Sequence, residues 1–270
     1  MKGAQTVWIT GASSGIGEAL ALTYNAKGYR TILSARRSEV LESIQKKLPH
    51  PEHSYLLPLD LELHENAEAW FHQASAFTGS IDVLINNAGM GHLGTAIEMA
   101  LEIERKVFEV NFWGAVALTK AVLPHMTSRN SGQIWTVSSI LGYFGSPKLA
   151  AYAASKHAIL GYFESVQYEL RNTDVHIGIV SPGFINTAVT INSLGPDGAI
   201  IGKNSIAQEK GMLPLDFALK FLKLSTKRRP KKHLLIGGYE IHSVPFKRYL
   251  PKLFFVVYGK LTDVTRQKKN

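Results

Sequence analysis

The sequence contains no cysteine in its 270 residues. Disulfide bonds and thiolate chemistry are therefore excluded, and the redox state of the compartment is left open. The first residues lack the long apolar core of a signal peptide, and no run in the sequence is long and apolar enough to span a bilayer. From these absences we expect a cytoplasmic protein.

Clustered metal ligands and nucleic-acid recognition motifs are also missing. The ten histidines are scattered, and His50 and His53 have only Glu52 as an acidic neighbour. We therefore expect no metal site. The basic residues near the C-terminus are not accompanied by a recognition motif, so no nucleic-acid partner is expected.

Charge is unevenly distributed along the chain. The net charge is +9, but residues 223–270 contain thirteen Lys or Arg residues and two acidic ones. Residues 1–222 therefore carry a small negative net charge, and any attraction to anionic partners belongs to the C-terminal segment. With 45% hydrophobic residues, the chain can form one large α/β domain or two small ones.

Short apolar runs that favour β-structure alternate with helical patterns over most of the chain. The predicted strands cover residues 5–10, 31–35, 56–61, 81–85, 132–137, 175–180 and 233–237. This alternation predicts an α/β fold with a single Rossmann-type, doubly wound parallel sheet of about seven strands and helices on both faces. We expect this domain to cover residues 1–240, followed by a C-terminal amphipathic extension over residues 241–270. Right-handed crossovers would bring the carboxyl ends of all strands to one edge.

Tyr152 and Lys156 lie four residues apart in a run with helical character. At this spacing the two side chains share one helix face. A free tyrosine has a pKa of about 10, and a fixed cation beside it would lower that pKa towards the range of a general acid or base. The same spacing is also common on solvated helix faces, so the pair alone does not assign a function.

A glycine-rich turn follows the first predicted strand. Gly11, Gly15 and Gly17 have the spacing Gly-x-x-x-Gly-x-Gly, which differs from the more common Gly-x-Gly-x-x-Gly. Small residues there let the backbone approach a pyrophosphate, and the N-terminus of the next helix offers N–H groups and a positive dipole end. A flexible loop is the alternative interpretation.

Two arginines follow the second predicted strand. Dinucleotide folds that select NAD carry an acid here, which binds the ribose 2′-hydroxyl. This chain has Arg36 and Arg37 instead, and a guanidinium can bind a 2′-phosphate in a bidentate manner. We therefore predict NADP(H) as the cofactor, with NAD(H) as the weaker candidate. The alternative is that both arginines are solvated charges that precede a helix.

Asn86-Asn87-Ala88-Gly89 follows a near-continuous apolar strand, a position that favours a site over a plain Asn-Gly turn. Together with Thr10-Gly11-x-x-x-Gly15-x-Gly17 and Tyr152-x-x-x-Lys156, this motif resembles those of the short-chain dehydrogenase/reductase family. The resemblance extends over residues 5 to 238. Residues 181–214, which include Asn192 and Gly198, and the C-terminal segment are similar to a membrane-associated branch near the hydroxysteroid dehydrogenases and the acyl-dihydroxyacetone-phosphate reductase-like lipid ketone reductases.

The resemblance implies a set of cofactor contacts. Asp60 and Leu61 would flank the adenine, although a lone Asp60 would also suit a helix cap. Pro182 and Gly183 would face the nicotinamide, and Ile185 and Thr187 would contact its carboxamide. The full predicted set is Gly11, Ser13, Ser14, Gly15, Ile16, Gly17, Arg36, Arg37, Asp60, Leu61, Asn87, Ala88, Gly89, Tyr152, Lys156, Pro182, Gly183, Ile185 and Thr187.

The resemblance also implies four catalytic residues. The family's serine precedes its tyrosine by thirteen residues, which selects Ser139, with the adjacent Ser138 as the alternative. Tyr152 would exchange a proton with the substrate, and Lys156 would lower the pKa of Tyr152 and hold the nicotinamide ribose. Asn111 would interrupt its helix and support a proton relay through water, or else be a satisfied polar group in the core. The implied reaction is hydride transfer between NADP(H) and a carbonyl or alcohol.

Two further segments bear on the substrate and partners. An apolar loop after Ser139 and a glycine-bearing segment, residues 188–213, predict a pocket for a hydrophobic ketone, aldehyde or secondary alcohol and a lid over it. In the C-terminal segment, aromatic residues next to Lys and Arg favour an amphipathic helix at a membrane surface, or one packed on the same domain or on a partner subunit.

Assembly and the competing function follow from the same motifs. The family pairs through the helices that carry Asn111 and Tyr152, so a homodimer is expected, with a tetramer as the alternative. The rival function is a non-catalytic NADP(H)-binding regulator or scaffold in which the C-terminal segment does the work. All four catalytic positions are intact, which argues against that rival.

Overall fold

The computed structural model describes residues 4–203 and 205–262. Its centre is one parallel sheet of seven strands, in the order β3-β2-β1-β4-β5-β6-β7. The strands are β1 Thr6–Thr10, β2 Arg30–Ser34, β3 Ser54–Leu56, β4 Val83–Asn86, β5 Gly132–Val137, β6 Val175–Pro182 and β7 His233–Ile236. Strands β2 and β3 are added on one side of β1, and β4 to β7 on the other. The strand order therefore reverses between β1 and β4, which is where such folds open a crevice for ligands.

Within residues 4–203 and 205–262, ten helices connect or follow these strands. They are α1 Gly15–Ala26, α2 Ser38–Gln45, α3 Ala67–Thr78, α4 Leu101–Phe108, α5 Gly114–Ser128, α6 Ala150–Glu169, α7 Ile206–Glu209, α8 Pro214–Ser225, α9 Ser243–Tyr249 and α10 Pro251–Leu261. A π-helical turn, Glu109–Trp113, joins α4 to α5. Short 3-10 turns precede several elements, among them Leu61–Asn66 after β3 and Ile140–Gly142 after β5.

The sheet is buried on both faces, as the apolar composition of its strands requires. Successive side chains alternate between the faces: Val7 and Ile9 of β1 pack in the core beneath α1, α2 and α8, whereas Trp8 packs in the core beneath α3, α5 and α6. Both cores are continuous along the sheet, and this rigid platform holds the loops at the carboxyl edge.

The predicted α/β architecture is confirmed, with two local corrections. The third strand is Ser54–Leu56 instead of residues 56–61. It ends before Pro58, which lacks an N–H donor, although Leu57 and Leu59 still donate to the carbonyls of Leu33 and Ala35. In the sequence, residues 98–125 have a helical pattern over their whole length; the structure forms two helices there, interrupted by the π-helical turn that contains Asn111.

The C-terminal segment packs only part of its apolar surface. Phe254 is buried against Ile140 and Phe144, with Tyr258 and Phe246 beside them, and Phe254 meets Phe144 edge to face. Among the described residues, no helix combines the length and apolarity needed to cross a membrane. Residues 263–270 of the predicted extension lie outside the described part of the chain.

Candidate active site

A cleft of about 690 Å³ opens at the carboxyl edge of the sheet, between the β1 and β4 loops. It is the place that the sequence predicts for a dinucleotide. Thirteen of the predicted cofactor contacts line it, namely Gly11, Ser13, Ser14, Gly15, Ile16, Arg36, Arg37, Asp60, Leu61, Asn87, Ala88, Gly89 and Thr187. The remaining six lie beside or behind this cleft and are described below.

The glycine turn and the segment after β4 are joined into one rigid floor. The Thr10 hydroxyl accepts hydrogen bonds from the N–H groups of Asn87 and Ala88, each at 3.1 Å. The Asn87 side chain donates to the carbonyl of Thr10 at 2.9 Å. This network holds the backbone of both loops against each other.

The floor forms a cradle that side chains would fill. At Gly11, φ is +66°, and an added Cβ would lie 2.8 Å from the Cα of Ala88. At Gly15, φ is +57°, and an added Cβ would lie 2.9 Å from Thr187 Cγ2. The Ser14 side chain does not cap α1, so the first N–H groups of this helix suit a phosphate. The cleft therefore fits a dinucleotide.

The adenine end of the cleft, defined here by Arg36, Arg37, Asp60 and Lys106, is charged and open to solvent. Glu62 pairs with Lys106 at 3.1 Å and with Arg36 at 3.6 Å. The Asp60 carboxylate accepts a hydrogen bond from the N–H of Glu62 at 3.1 Å, as a cap of the Leu61–Asn66 turn. Asp60 thus both lines the cleft and caps the turn, which joins the two interpretations of this residue.

The reactive end, defined by Ser139, Tyr152 and Lys156, is enclosed and lies behind the cleft wall at Gly89, where an added Cβ would be 3.5 Å from Lys156 Nζ. Tyr152 lies in the first turn of α6, and the Ser139 side chain forms a hydrogen bond with it. Lys156 is 4% exposed. Its Nζ donates to the carbonyl of Val137 at 3.0 Å and lies 5.8 Å from the centroid of the Tyr152 ring. The helix thus brings the predicted phenol and ammonium together beside the end of β5.

Burial controls the protonation of both groups. Burial raises the pKa of Tyr152, and the hydrogen bond from Ser139 offsets part of that rise. Burial also lowers the pKa of Lys156 from 10.5 to about 8. The sequence predicts that Lys156 lowers the pKa of Tyr152; in the folded chain the dominant influence on Tyr152 is desolvation, which favours the neutral phenol.

The two adjacent serines have different partners. The Ser138 hydroxyl donates to the backbone carbonyl of Lys156 at 3.0 Å, which fixes α6 against β5. The Ser139 oxygen accepts the N–H of Leu141 at 3.1 Å and is directed towards Tyr152. The geometry therefore favours Ser139 as the residue that faces a substrate carbonyl.

Asn111 is 2% exposed and fully engaged. Its side-chain oxygen accepts the N–H of Met90 at 2.7 Å, and its side-chain nitrogen donates to the carbonyl of Met90 at 2.9 Å and to Ser155 Oγ at 3.2 Å. The π-helical turn around Asn111 shifts the backbone hydrogen bonds at this point. Asn111 thereby connects the cleft floor to α6. This geometry is compatible with both predicted roles of Asn111, support of a proton relay and a satisfied polar group in the core.

Gly17, Pro182, Gly183 and Ile185 do not line the cleft. An added Cβ at Gly17 would collide with the carbonyl of Gly11, so this glycine permits the turn to close. Ile185 is buried. Glu240 occupies the space beside Gly183 and accepts the N–H of Phe184 at 2.8 Å. Gly183 therefore admits the C-terminal segment instead of forming the cleft wall.

The acceptors expected for a carboxamide have a partner in the structure. The side-chain amide of Gln208, on α7, donates to the carbonyl of Ile185 at 2.5 Å and to Thr187 Oγ1 at 3.3 Å. Gln208 belongs to the predicted lid, residues 188–213, of which Asn204 lies outside the described part of the chain. The lid also contacts the floor, since Leu194 accepts the N–H of Leu93 at 2.9 Å.

Several residues at the site are absent from the sequence prediction. His92 is fully buried, and its Nε2 accepts the N–H of Tyr152 at 3.2 Å. Ile103 and Lys106 of α4 and Val110 of the π-helical turn follow at helical spacing, and all three line the cleft. This spacing predicts that the three residues share a helix face, but the sequence alone does not show whether that face meets the cleft. The other additional lining residues are Ala35, Leu59, Met90, Ala188, Val189, Asn192, Leu194, Gly198 and Ile200.

Comparisons with known proteins agree with this geometry. A family model described as short chain dehydrogenase matches residues 5–195. The chain belongs to the short-chain dehydrogenase family. The carbonyl-reducing or alcohol-oxidising activity implied by the sequence motifs is therefore confirmed as a class, and the enzyme is an oxidoreductase of the dehydrogenase/reductase type.

Two curated relatives of this short-chain dehydrogenase cover nearly its whole length. It is 36% identical over 268 residues to the dehydrogenase/reductase SDR family protein 7-like of Anopheles gambiae, with coverage of 96% of this chain and 83% of the relative. It is 32% identical over 272 residues to the dehydrogenase/reductase SDR family member 7B of Rattus norvegicus, with coverage of 98% and 83%.

Solved structures show the same fold. A short-chain dehydrogenase from Streptomyces avermitilis is 26% identical, with a TM-score of 0.83 and coverage of 98% of this chain and 99% of that chain. An alcohol dehydrogenase from Thermococcus sibiricus, complexed with 5-hydroxy-NADP, is 28% identical, with a TM-score of 0.74 and coverage of 87% and 97%. The fold of this short-chain dehydrogenase is one that holds nicotinamide cofactors. Among the described residues, no group of three or more metal-ligating side chains forms a metal site.

Proposed function

We propose that the protein is an NADP(H)-dependent oxidoreductase that acts on a hydrophobic ketone, aldehyde or secondary alcohol. The observation that carries the reaction is the Ser139–Tyr152–Lys156 arrangement at the end of the cleft. The observation that favours NADP(H) over NAD(H) is the pair Arg36 and Arg37 at the other end, where no carboxylate follows β2.

Each side chain has one role in this reaction. When bound, NADPH would supply the hydride for reduction of the substrate carbonyl. Ser139 orients the carbonyl and shares its developing negative charge. Tyr152 is held as the neutral phenol by burial, so it donates a proton to the carbonyl oxygen during reduction. In the oxidative direction the same oxygen accepts the proton as a phenolate.

Lys156 and Asn111 support the proton transfer. The ammonium of Lys156 stabilises the phenolate that Tyr152 becomes after it has donated its proton. Because burial places the pKa of Lys156 at about 8, the ammonium remains the main form at neutral pH and can also release a proton. Asn111 holds the floor at Met90 and contacts α6 through Ser155, and so fixes the path along which a proton would return to Lys156.

The lid and the loop after Ser139 support an apolar substrate. Val189, Leu194 and Ile200 of the lid line the cleft, so we propose that residues 188–213 close over the cofactor and substrate. In the loop after Ser139, Ile140 and Phe144 are buried against the aromatic side chains of α10. The apolar side chains of the lid and of this loop are the basis for proposing a hydrophobic substrate, although Asn192 of the lid also lines the cleft.

The test is the substitution Tyr152→Phe, assayed by NADPH oxidation against a panel of hydrophobic ketones and aldehydes. We expect kcat to fall by about 10²- to 10⁴-fold because the proton donor is lost, while NADPH affinity stays near the wild-type value. The matched control is Tyr168→Phe, since Tyr168 lies on the same helix and is 70% exposed.

Turnover by Tyr152→Phe near the wild-type rate would overturn the assignment. Tight NADPH binding by the wild type without turnover of any carbonyl compound would instead favour the regulator or scaffold. These two outcomes differ in the wild-type assay itself, so one data set separates them.

We also propose a homodimer formed through α4 and α6. A shallow groove of about 430 Å³ runs between these helices and is lined by Leu101, Phe108, Trp113 and Ala154. Trp113 is 46% exposed there, and large exposed aromatic side chains favour an interface. Trp113→Glu should convert the dimer to monomer in sedimentation velocity; an unchanged sedimentation coefficient would exclude this face.

A peripheral membrane contact is the proposed role of the C-terminal helices. Phe255 is 80% exposed and Val256 is 51% exposed, and α9 and α10 carry the basic residues Lys247, Arg248, Lys252 and Lys260 without an acidic one. Apolar side chains flanked by cations suit an anionic lipid surface. The expected cytoplasmic location stays a prediction.

Vesicles that contain phosphatidylserine test this contact. The double substitution Phe255→Ser with Val256→Ser should reduce vesicle binding, because it removes two exposed apolar side chains that would enter the lipid interface. Tyr168→Ser on α6 should leave vesicle binding unchanged. Equal binding of both variants and the wild type would rule out this surface. A change in sedimentation without a change in vesicle binding would assign the surface to a partner subunit.

A further inference from the structure

The adenine end of the cleft contains a third basic side chain, Lys106, in addition to Arg36 and Arg37. Lys106 lies on α4 and lines the cleft together with Ile103 of the same helix and Val110 of the π-helical turn. Its side chain is 37% exposed. Unlike Arg36 and Arg37, it comes from the far side of the crevice, after β4 in the chain.

Glu62 connects the two sides. A single oxygen of its carboxylate, Oε1, lies 3.1 Å from Lys106 Nζ and 3.6 Å from Arg36 Nη1. The two cations are therefore within about 7 Å of each other, the sum of those distances. Charged donors approach phosphate oxygens to about 2.8 Å, so two oxygens of one phosphate group can contact both cations at once.

We propose that Lys106 is a third specificity determinant for the 2′-phosphate of NADP(H), and that Glu62 opposes the binding of that phosphate. This inference rests on the proposed NADP(H) dependence and deepens it. The carboxylate of Glu62 holds Arg36 and Lys106 at the cleft and occupies the same two cations that a phosphate would contact. Glu62 itself is not among the residues that line the cleft, but its charge lowers the positive potential of the two cations that do.

Charge counting gives the sign of each effect. Arg36, Arg37 and Lys106 supply three positive charges, and Glu62 removes one of them. Loss of Lys106 lowers the positive charge that faces the phosphate, whereas loss of the Glu62 charge raises it. Asp60 also lines this end, but its carboxylate caps the N–H of Glu62 and is unchanged in both variants.

The experiment measures binding by calorimetry for two pairs of ligands: NADPH with NADH, and adenosine 2′,5′-bisphosphate with adenosine 5′-monophosphate. The variants are Lys106→Gln and Glu62→Gln. The matched controls change the same charges outside the cleft: Lys120→Gln on the exposed surface of α5, and Glu65→Gln in the same short turn as Glu62.

Lys106→Gln should weaken the two 2′-phosphorylated ligands by roughly fivefold, the scale of one partly exposed ion pair, and leave the other two unchanged. Glu62→Gln should strengthen the 2′-phosphorylated ligands by a similar factor. Both controls should match the wild type. Binding of the ligands without the 2′-phosphate also serves as the check that each variant is folded.

Two results would overturn the inference. Equal weakening of all four ligands by Lys106→Gln would give this residue a structural role alone. Weaker binding of the 2′-phosphorylated ligands by Glu62→Gln would mean that Glu62 orients the cations and does not compete for them. The proposed NADP(H) dependence fails separately, if the wild type binds NADH as tightly as NADPH.

Discussion

The two ends of the cleft handle charge in opposite ways. At the adenine end, Arg36 has 66% of its side chain exposed and shares Glu62 with Lys106. At the reactive end, Lys156 is 4% exposed and has no carboxylate within the ion pairs found in the described residues. At the adenine end the charges stay hydrated and screened by salt, so they carry little desolvation cost. At the reactive end the charged group is desolvated, which shifts its pKa and suits it for acid–base chemistry.

The comparison teaches how one fold separates recognition from chemistry. Solvated cations can select an anionic group without a large desolvation cost, but their effects on binding are modest. A buried ammonium costs stability and in return stabilises a developing phenolate strongly. The predictions below break or sharpen this contrast, beginning with the largest effect.

Lys156→Met should reduce kcat by about 10²- to 10⁴-fold, the range of one lost contribution to general acid–base catalysis. The thioether fills a similar volume but cannot hold a charge beside Tyr152. Steady-state kinetics with saturating NADPH would measure the loss. Activity close to the wild-type value would mean that the reactive end does not depend on its buried cation.

The same variant should be more stable than the wild type at pH 7. Burial lowers the pKa of Lys156 from 10.5 to about 8, a change that corresponds to about 3 kcal/mol. Because the pKa of Lys156 is lower in the folded chain than in the unfolded chain, the unfolded chain binds more protons between pH 8 and 10.5. The free energy of unfolding of the wild type therefore rises with pH in that window, and the stability advantage of the variant shrinks. Urea unfolding of both proteins from pH 7 to 10 would measure the difference. The gain is at most about 3 kcal/mol, since the bond to Val137 is lost.

Gln208→Ala should tighten NADPH binding by roughly fivefold, the scale of one hydrogen-bonded competitor. The Gln208 amide occupies Ile185 and Thr187, the acceptors expected for the carboxamide of the cofactor. The control ligand is 2′-phospho-ADP-ribose, which is NADP without its nicotinamide. It should bind equally to the wild type and to the variant. Weaker NADPH binding by the variant would show that Gln208 positions these acceptors and does not compete for them.

The smallest expected effect is that of salt, which should change cofactor binding at the adenine end but not catalysis at the reactive end. Raising the ionic strength from 0.05 to about 0.3 M shortens the screening length of exposed charges. We expect KM for NADPH to rise a few-fold while kcat hardly changes, because the reactive end is buried. A parallel fall of kcat would indicate that the buried ammonium communicates with solvent.

The sequence predicts the platform of this enzyme better than the contacts made across it. The strand positions, the glycine turn and the Tyr152–Lys156 spacing follow from local patterns, since each depends on residues close in the chain. The contacts of Lys106 with Glu62 and of Gln208 with Ile185 join segments far apart, and no local pattern encodes them. The pKa of Tyr152 likewise depends on burial, which exists only after the chain has folded.

The wall beside Ser139 is completed by the last helix of the described chain. Phe144 packs on Phe254 and Tyr258, and the edge strand β7 precedes that helix in the sequence. During synthesis, which adds about 5–20 residues per second from the N-terminus, the residues of the cofactor cradle up to Thr187 are added roughly 3–13 s before Phe254. A nascent chain halted before α10 would present the apolar loop after Ser139 uncovered, so the interval between these two events is a time at which a chaperone would have a surface to bind.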